Sequence, residues 1–346
     1  MSVGQATELG RYARQMRLAE IGEEGQHKLL AARVALIGCG ALGTHIADSV
    51  VRAGVGHVRI VDRDFIELNN LQRQSLFDEA DVARGLPKAV AAADKLRPIN
   101  AQVEVESVVA DVNPDNVLEL IGDVDLVLDG TDNLETRLLV NDACLKLDIP
   151  WIYGGVIATC GMSMAILPHR TPCFRCFMGD LPAPGDVPTC DTVGVLNTAA
   201  IVTAAIEVTE GFKVLTGHEE ALQPGVLYLD VWTGDVMRLQ VSKNGTPCPA
   251  CDLGQFEFLE ARQGSWVTSL CGHDALQVNV RRSERLSFPQ LAERLRSVGR
   301  VSFNEYMLHL EVDPYELIVF PDGRTIVRGC TEPALARALY ARYIGM

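Results

Sequence analysis

The sequence predicts an α/β fold: a mostly parallel sheet that continues into antiparallel strands, with a small α+β domain behind it. Three observations carry this. Strand-like and helix-like runs alternate through the first 150 residues, and the strand-like runs end at glycine or aspartate. Such alternation reads as a parallel sheet wrapped by helices, with ligands bound beyond the carboxyl ends of the strands. The first strand-like run leads into Gly38-Cys39-Gly40-Ala41-Leu42-Gly43, and a helical run follows at once. Beyond residue 265 the composition changes: lysine is absent, and arginines and acids nearly balance.

The elements follow in order. Residues 34–37 are a short apolar strand ending at Gly38, and residues 42–53 have helical spacing. Residues 57–61 are rich in β-branched side chains and end at Asp62. A helical run over 87–96 leads to alternating Val103, Val105 and Val108, and the apolar run 126–128 ends at Asp129. From 151 to 245 the pattern shifts. Residues 156–165 and 226–239 read as strands that extend the sheet, with a long helix near 198–215 between them. Residues 182–188, rich in proline and glycine, read as a crossover loop. The expected organisation is one domain over 1–255, a linker over 256–265 and an α+β domain over 266–346. In that last domain we expect a strand (275–280), a helix (288–298), strands (306–312 and 316–327) around Pro321-Asp322-Gly323, and a final helix (333–343).

Composition narrows the function. The 346 residues carry 31 basic and 45 acidic side chains, a net charge of −14, which speaks against a nucleic-acid partner. With 48% hydrophobic and 22% charged residues the chain is globular. Its most apolar stretch, 195–206, is broken by Asn197, Thr198 and Thr203, so no membrane span is expected. The first twenty residues lack the apolar core of a signal peptide, and a cytoplasmic enzyme is expected. The cytosol keeps thiols reduced, so the ten cysteines call for metal or thiol chemistry rather than a disulfide framework.

Six stretches carry candidate chemistry. Gly38, Gly40, Ala41 and Gly43 form a G-x-G-x-x-G turn of the Rossmann-like kind, where the backbone approaches a phosphate or ribose and a helix N-terminus faces an anion. The bland alternative is a tight turn without a ligand. Asp62 is placed to accept hydrogen bonds from a ribose. Asn70, Arg73 and Gln74 share one stretch with Lys88 further on; the cations Arg73 and Lys88 suit a triphosphate and a departing pyrophosphate, and otherwise they are solvated surface charges. Asp132 and Asn133 lie just past a strand end, with Arg137 in the helix behind. An acid there suits Mg²⁺, although Asp132 or Thr131 can equally start that helix as its N-cap. Cys173, Cys176, Cys248 and Cys251 form two C-x-x-C pairs separated by 71 residues. Four thiolates satisfy a tetrahedral Zn²⁺ with no open position, hence a structural zinc site; a redox pair is the rival. Cys190, at the end of the crossover loop, is either a nucleophile toward an activated acyl group or a loop cysteine without a role. Cys39, Cys144, Cys160, Cys271 and Cys330 read as buried small residues. From composition alone, Arg11 to Gln15 is a solvated basic segment.

Together these motifs resemble the activating enzymes of ubiquitin-like proteins in their bacterial adenylyltransferase form, the ThiF/MoeB/HesA family. The resemblance runs over residues 8–255. It rests on R-Y-x-R-Q from Arg11, G-x-G-x-L-G, Asp62-x-Asp64, N-L-Q-R-Q from Asn70, Pro87-Lys88-Ala89, D-x-T-D-N-x-x-x-R from Asp129, and both C-x-x-C pairs. The last domain is similar to the C-terminal extension of some thiazole-pathway members, and it carries no rhodanese-type C-x-x-G-x-R loop.

The resemblance implies an enzyme that binds ATP and Mg²⁺ together with the C-terminal Gly-Gly of a small β-grasp sulfur-carrier protein. The glycine carboxylate attacks the α-phosphate, acyl-adenylate forms and pyrophosphate departs. A sulfur donor such as a cysteine desulfurase then leads to the thiocarboxylate. It also implies that Asp62 binds the ribose, that Asn70, Arg73 and Lys88 hold phosphates, and that Asp132 coordinates Mg²⁺ with Asn133 beside it. Arg14 is implied as an arginine finger reaching into the partner's site in a homodimer. Zinc at the four cysteines is implied as structural, and Cys190 matches a position that forms a covalent link to the carrier in some members. Ala41 departs from the third loop glycine of many relatives, which the backbone role of that position tolerates. The thiamine thiazole pathway is favoured by the tail. The same chemistry on the molybdopterin synthase small subunit is the alternative. An NAD-dependent oxidoreductase is remote, because it needs no Arg73 and Lys88, and a non-catalytic scaffold is disfavoured by the full set of ATP-site residues.

Overall fold

The structure is a computed structural model that describes residues 9–179, 193–241, 247–260, 266–270, 275–279 and 286–344. The chain divides into two compact units, Met1–Ala261 and Arg262–Met346.

The first unit is built on an eight-stranded sheet of order β3-β2-β1-β4-β5-β6-β7-β8. Its parallel half comprises β1 (Arg33–Ile37), β2 (His57–Val61), β3 (Glu104–Val108), β4 (Leu126–Asp129) and β5 (Trp151–Ile157). β1 and β4 are apolar almost throughout and buried, as strands covered on both faces must be. β6 (Cys160–Ile166), β7 (Val226–Asp230) and β8 (Asp235–Leu239) then continue it antiparallel. The runs 156–165 and 226–239, each expected as one strand, are part of a hairpin and a whole hairpin. The first is broken by Ala158, whose φ of 52° turns the chain without a glycine signal, and the second by Gly234 at φ 81°.

Helices α1 (Gly22–Ala31), α2 (Ala41–Ala53), α3 (Glu79–Arg84), α4 (Lys88–Leu96), α5 (Val117–Ile121), α6 (Leu134–Leu147) and α7 (Phe174–Met178) follow in the chain. α2 buries Leu42, Ile46, Ala47, Val50 and Val51, an i, i+4, i+8 face, and ends at Gly54 in the left-handed region. The long α8 (Asn197–Thr216) packs against α2 and the sheet. Among the described residues, no helix is long and apolar enough to cross a membrane.

Residues Glu257–Glu260 form a short helix, α9, although the sequence places them in a linker. Leu259 is buried and Phe258 donates its N–H to Asp142 at 3.0 Å, which anchors the segment on α6. Residues 261–265 lie outside the described residues.

The second unit has an antiparallel sheet of order β11-β12-β13-β14-β10-β9. It contains β9 (Trp266–Leu270), β10 (Ala275–Asn279), β11 (Arg300–Phe303), β12 (Leu308–Val312), β13 (Tyr315–Val319) and β14 (Thr325–Arg328), with helices α10 (Phe288–Leu295) and α11 (Pro333–Tyr343). Leu276, Leu310, Leu317 and Val327 form its core with Leu291, Leu295, Leu339 and Tyr340 of the helices. The turn at Pro321-Asp322-Gly323 separates β13 from β14, so the expected strand 316–327 is two strands. β9 and β11 were not anticipated.

Candidate functional site

The sheet changes direction between β1 and β4: the chain runs outward from β1 to β3 on one side and from β4 onward on the other. Ligands of open α/β sheets bind at such a switch point. Here two glycine turns meet. Gly38, after β1, has φ 90°, and a Cβ on it would stand 2.4 Å from the Gly130 carbonyl oxygen after β4. That close approach requires glycine. Gly40 is different: a Cβ there would meet only Gln74 Nε2, 3.9 Å away. Its missing side chain leaves a cradle above the N-terminus of α2, and Cys39 beside it is buried. Replacing Gly40 with alanine is therefore expected to weaken the binding of a ligand seated in this cradle by about tenfold or more. The melt should shift by only about 1 kcal/mol. Gly38→Ala should instead fail to fold; calorimetry and a urea melt separate the two.

Asp62 ties this turn to β2. Its carboxylate accepts the N–H of Cys39 at 2.6 Å and of Asp64 at 2.7 Å. Burial pushes the Asp62 carboxyl above its ordinary value against the pull of Lys88. Lys88, the first residue of α4, donates its Nζ to Asp64 at 2.9 Å and its backbone N–H to the Asp64 carbonyl. Burial alone would lower the ammonium's pKa. The Asp64, Asp62 and Asp132 carboxylates outweigh it and hold the group charged. Arg63 joins the cluster through Asp111 at 2.7 Å, and it too feels Asp64 and Asp132. Lys88 is thus a buried cation in a nest of acids, not a solvated surface charge.

A tight turn precedes this cluster. Asn70 Oδ1 accepts the Glu67 N–H at 3.0 Å and its Nδ2 donates to Asn69 Oδ1, so the carboxamide first of all builds the turn. Arg73 is half-buried and donates to the Asn69 carbonyl at 2.9 Å. Gln74 is buried beside Gly40, and its Oε1 has no hydrogen-bond partner among the described residues. An orphaned buried carboxamide facing a cradle is what a site awaiting a polar ligand presents.

The third part is the β4–α6 turn. Asp129 is buried, and its carboxylate accepts the Thr131 N–H at 2.8 Å and hydroxyl at 2.6 Å. Arg137 donates to Asp129 at 3.2 Å and to the Thr131 and Gly154 carbonyls at 2.7 and 3.0 Å. The N-cap is Asn133, whose Oδ1 accepts the Thr136 N–H at 2.9 Å; it is neither Asp132 nor Thr131. Asp132 is thereby left exposed, steadied by Asn133 Nδ2 at 3.3 Å, with its charge acting on Lys88, Arg63 and Arg137.

Arg14 is exposed, but its segment is anchored. Tyr12 is buried with its hydroxyl accepting from Asn100 at 2.8 Å, and Gln15 donates to Gln26 and the Ala53 carbonyl. Cys190 and Cys271 lie outside the described residues. Cys160 is half-buried rather than buried, because it faces Tyr228 Oη at 2.9 Å and Asp230 at the edge of β7.

The four cysteines of the C-x-x-C pairs converge, all sulfurs within 4.8 Å of one another. Cys173 lies 3.8 Å from Cys176 and 3.7 Å from Cys248, and Cys176 lies 3.5 Å from Cys251. A regular tetrahedron of thiolates about 2.3 Å from Zn²⁺ has sulfur–sulfur edges of about 3.8 Å, so the donor set fits zinc. These separations are too long for disulfides. Trp151, Tyr153, Phe174 and Phe177 stack around the site, and Phe174 N–H donates to the buried Asn141 at 2.9 Å.

The ThiF family model matches residues 12–250. The chain belongs to the ThiF family. ThiF-family relatives extend the match. The sulfur carrier protein ThiS adenylyltransferase of Bacillus subtilis is 40% identical over 338 residues, 97% of this chain and 99% of its own. The sulfur carrier protein adenylyltransferase of Thermus thermophilus is 38% identical over 70% of this chain and 91% of its own. Among solved structures, E. coli MccB with ATP superposes with a TM-score of 0.60 at 22% identity, covering 70% of this chain and 74% of that one, which speaks to the fold alone. The ThiF-family motifs read from the sequence include Asp64 and Arg137, whose contacts were not foreseen. Arg63, Asp111 and Glu207 were missed altogether. Only Glu207 left a trace, as an acid inside the apolar helical run.

Proposed function

We propose that the protein adenylates the C-terminal glycine of a small β-grasp sulfur-carrier protein, for thiocarboxylate formation in thiamine thiazole synthesis. The observation that carries this is the buried Lys88 between Asp62 and Asp64, beside an orphaned Gln74 carboxamide and an open Gly40 cradle, at the switch point of the sheet. The near full-length likeness to an enzyme named for ThiS supports the carrier assignment. The molybdopterin synthase small subunit is the second reading, which the Thermus relative's name leaves open.

The residues divide the work as follows. Asp62 accepts from the ribose, keeping the lone pairs that the two backbone N–H groups leave. Lys88 and Arg73 hold the phosphates and offset charge as pyrophosphate leaves, and Asn70 shapes the turn that presents Arg73. Gln74 and the backbone of Gly38, Gly40, Ala41 and Gly43 line the cradle. Asp132, with Asn133 beside it, would hold Mg²⁺, which supplies charge neutralisation between phosphates. The carrier's carboxylate oxygen bonds to the α-phosphorus as the bond to the pyrophosphate oxygen breaks. Arg14 reaches into the partner subunit's site, so the working enzyme is a cytoplasmic homodimer. Zinc at Cys173, Cys176, Cys248 and Cys251 is structural. The Cys190 thiolate displaces AMP from the acyl-adenylate to form a thioester with the carrier, and sulfide released by a sulfur donor such as a cysteine desulfurase, acting with a thiol reductant, displaces Cys190 to give the thiocarboxylate.

Carrier-dependent exchange of labelled pyrophosphate into ATP tests the reading. Exchange with the thiamine-pathway carrier supports it; no exchange with any Gly-Gly-ended carrier overturns it. Mass spectrometry of the mixture then distinguishes adenylate, thiocarboxylate and a cross-link at Cys190. The second unit serves as a docking surface for the carrier. Removing residues 262–346 is expected to leave zinc content unchanged and to raise the KM for the carrier by about tenfold. Unchanged kinetics in the truncated enzyme would refute the docking role.

A further inference from the structure

Helix α8 carries a carboxyl group that the chemistry above does not use. Glu207 lies in mid-helix and is wholly buried. It reaches the place where the sheet opens. β4 and β5 pair only at Val127↔Trp151 and Leu128↔Ile152, so at Asp129 the strand has lost its neighbour on that side. The Asp129 N–H is taken instead by Glu207 Oε1, at 2.6 Å. Gly154 of β5 makes room: a Cβ there would stand 2.1 Å from Glu207 Oε2. That oxygen is itself buried without a hydrogen-bond partner among the described residues.

We propose that Glu207 is a positioning residue for the Asp132 turn, replacing the strand neighbour that Asp129 lacks and so fixing where the Asp132 carboxylate stands. The proposal rests on the reading of Asp132 as the Mg²⁺ ligand. The chain of contacts is short. Glu207 holds the Asp129 backbone, the Asp129 side chain holds Thr131, and Asp132 follows next in sequence. Arg137 grips the same turn from α6. The ionisable groups facing Glu207 are Asp129 on β4, Arg137 on α6 and Tyr153 on β5. Burial, and next the Asp129 charge, raise the Glu207 carboxyl well above the ordinary range. A neutral acid still accepts the N–H through its carbonyl oxygen, less strongly than a carboxylate, and glutamine mimics it.

The test is a Mg²⁺ titration of ATP binding by the full chain, with ATP binding in chelator measured alongside. Glu207→Ala is expected to need about 10–100-fold more Mg²⁺ while Mg²⁺-free binding stays unchanged. Glu207→Gln should restore the wild-type requirement. A wild-type Mg²⁺ requirement in Glu207→Ala overturns the proposal, as does an equal loss with and without Mg²⁺, which marks a merely structural role. Should Glu207→Ala not fold, Gly154→Ala carries the test, because its methyl displaces the carboxyl group; it must shift the Mg²⁺ requirement the same way. Wild-type protein that binds no ATP overturns the adenylation reading beneath. A second arm uses pH. An acid with a raised folded pKa stabilises the fold below its unfolded value, and that stability is lost as pH rises toward the folded value. The urea midpoint of Glu207→Gln should therefore exceed wild type by a margin that grows as pH rises above the ordinary carboxyl range. A constant margin overturns the neutral-acid part.

Discussion

Asp132→Ala is expected to abolish carrier-dependent pyrophosphate exchange, by about a hundredfold to a thousandfold or more, in a protein that remains folded. The separation follows from where the structure spends its contacts. Asn133, not Asp132, caps α6, and Arg137, Thr131 and Asp129 hold the turn together. The Asp132 carboxylate is exposed and has one long hydrogen bond, from Asn133 at 3.3 Å. Removing it should change stability by no more than about 0.5 kcal/mol, as for other exposed sites without a structural task. Lys88→Ala makes the contrast. It too should lose exchange, but it leaves the Asp62 and Asp64 carboxylates facing one another without their buried cation. Breaking a fully buried pair costs about 3–5 kcal/mol, and the partial exposure of Asp64 keeps the cost here below that. Exchange assays paired with urea melts should thus find Asp132→Ala inactive and stable, and Lys88→Ala inactive and destabilised. An Asp132→Ala enzyme that still exchanges would remove Asp132 from the chemistry. One that unfolds would show that the turn depends on its charge.

The sequence carried β1, β2 and β4 of the parallel half because each is an apolar run cut off by a glycine or an acid. Residues 34–37, 57–61 and 126–128 fall inside β1, β2 and β4. The antiparallel half was legible only as runs. Ala158 adopts the left-handed region without glycine, so the β5–β6 turn has no local mark, and tertiary pairing decides it. Within the expected linker 256–265 the two units divide after Ala261, and its first half forms α9 because Phe258 and Leu259 find α6 to pack on, a partner more than a hundred residues away in the chain.

The site divides along the same line. Glycine turns, Lys88, Asp132 and the cysteine pairs sit in motifs whose local pattern is their signal. The ion pair of Arg63 with Asp111 and the reach of Glu207 to Asp129 join residues 48 and 78 positions apart, and no local pattern encodes them. The reading of Asn70 as a phosphate ligand shows the converse. Its carboxamide is already engaged in building the turn, which the motif does not reveal.

Loss of a zinc ligand is expected to loosen the fold without slowing the chemistry of the molecules that stay folded. The four cysteines join α7 to the segment before α9, across 71 residues that include all of α8. Closing a loop of that length restricts the unfolded chain by about 4 kcal/mol if zinc acts as a cross-link does. The ligand bonds add to this, since metal affinity absent from the unfolded state becomes folding free energy. Without the metal the sulfurs have, among the described residues, only one another as partners. Cys176 is drawn down to about 5 by its bond from Cys173, while burial pushes Cys251 up to about 12, so the four cannot share thiolate charge unaided. Cys173→Ser should therefore lose bound metal by elemental analysis and unfold at lower urea. The exchange rate per folded molecule should stay within about twofold, because Lys88, Gln74 and Asp132 are positioned by β1, β4 and their own turns. Lost exchange at an unchanged midpoint would make the metal catalytic. Unchanged metal content and midpoint would leave the cysteines as thiols, and the two halves of the loop would then be held by the Phe174–Asn141 and Phe258–Asp142 hydrogen bonds and the aromatic cluster alone.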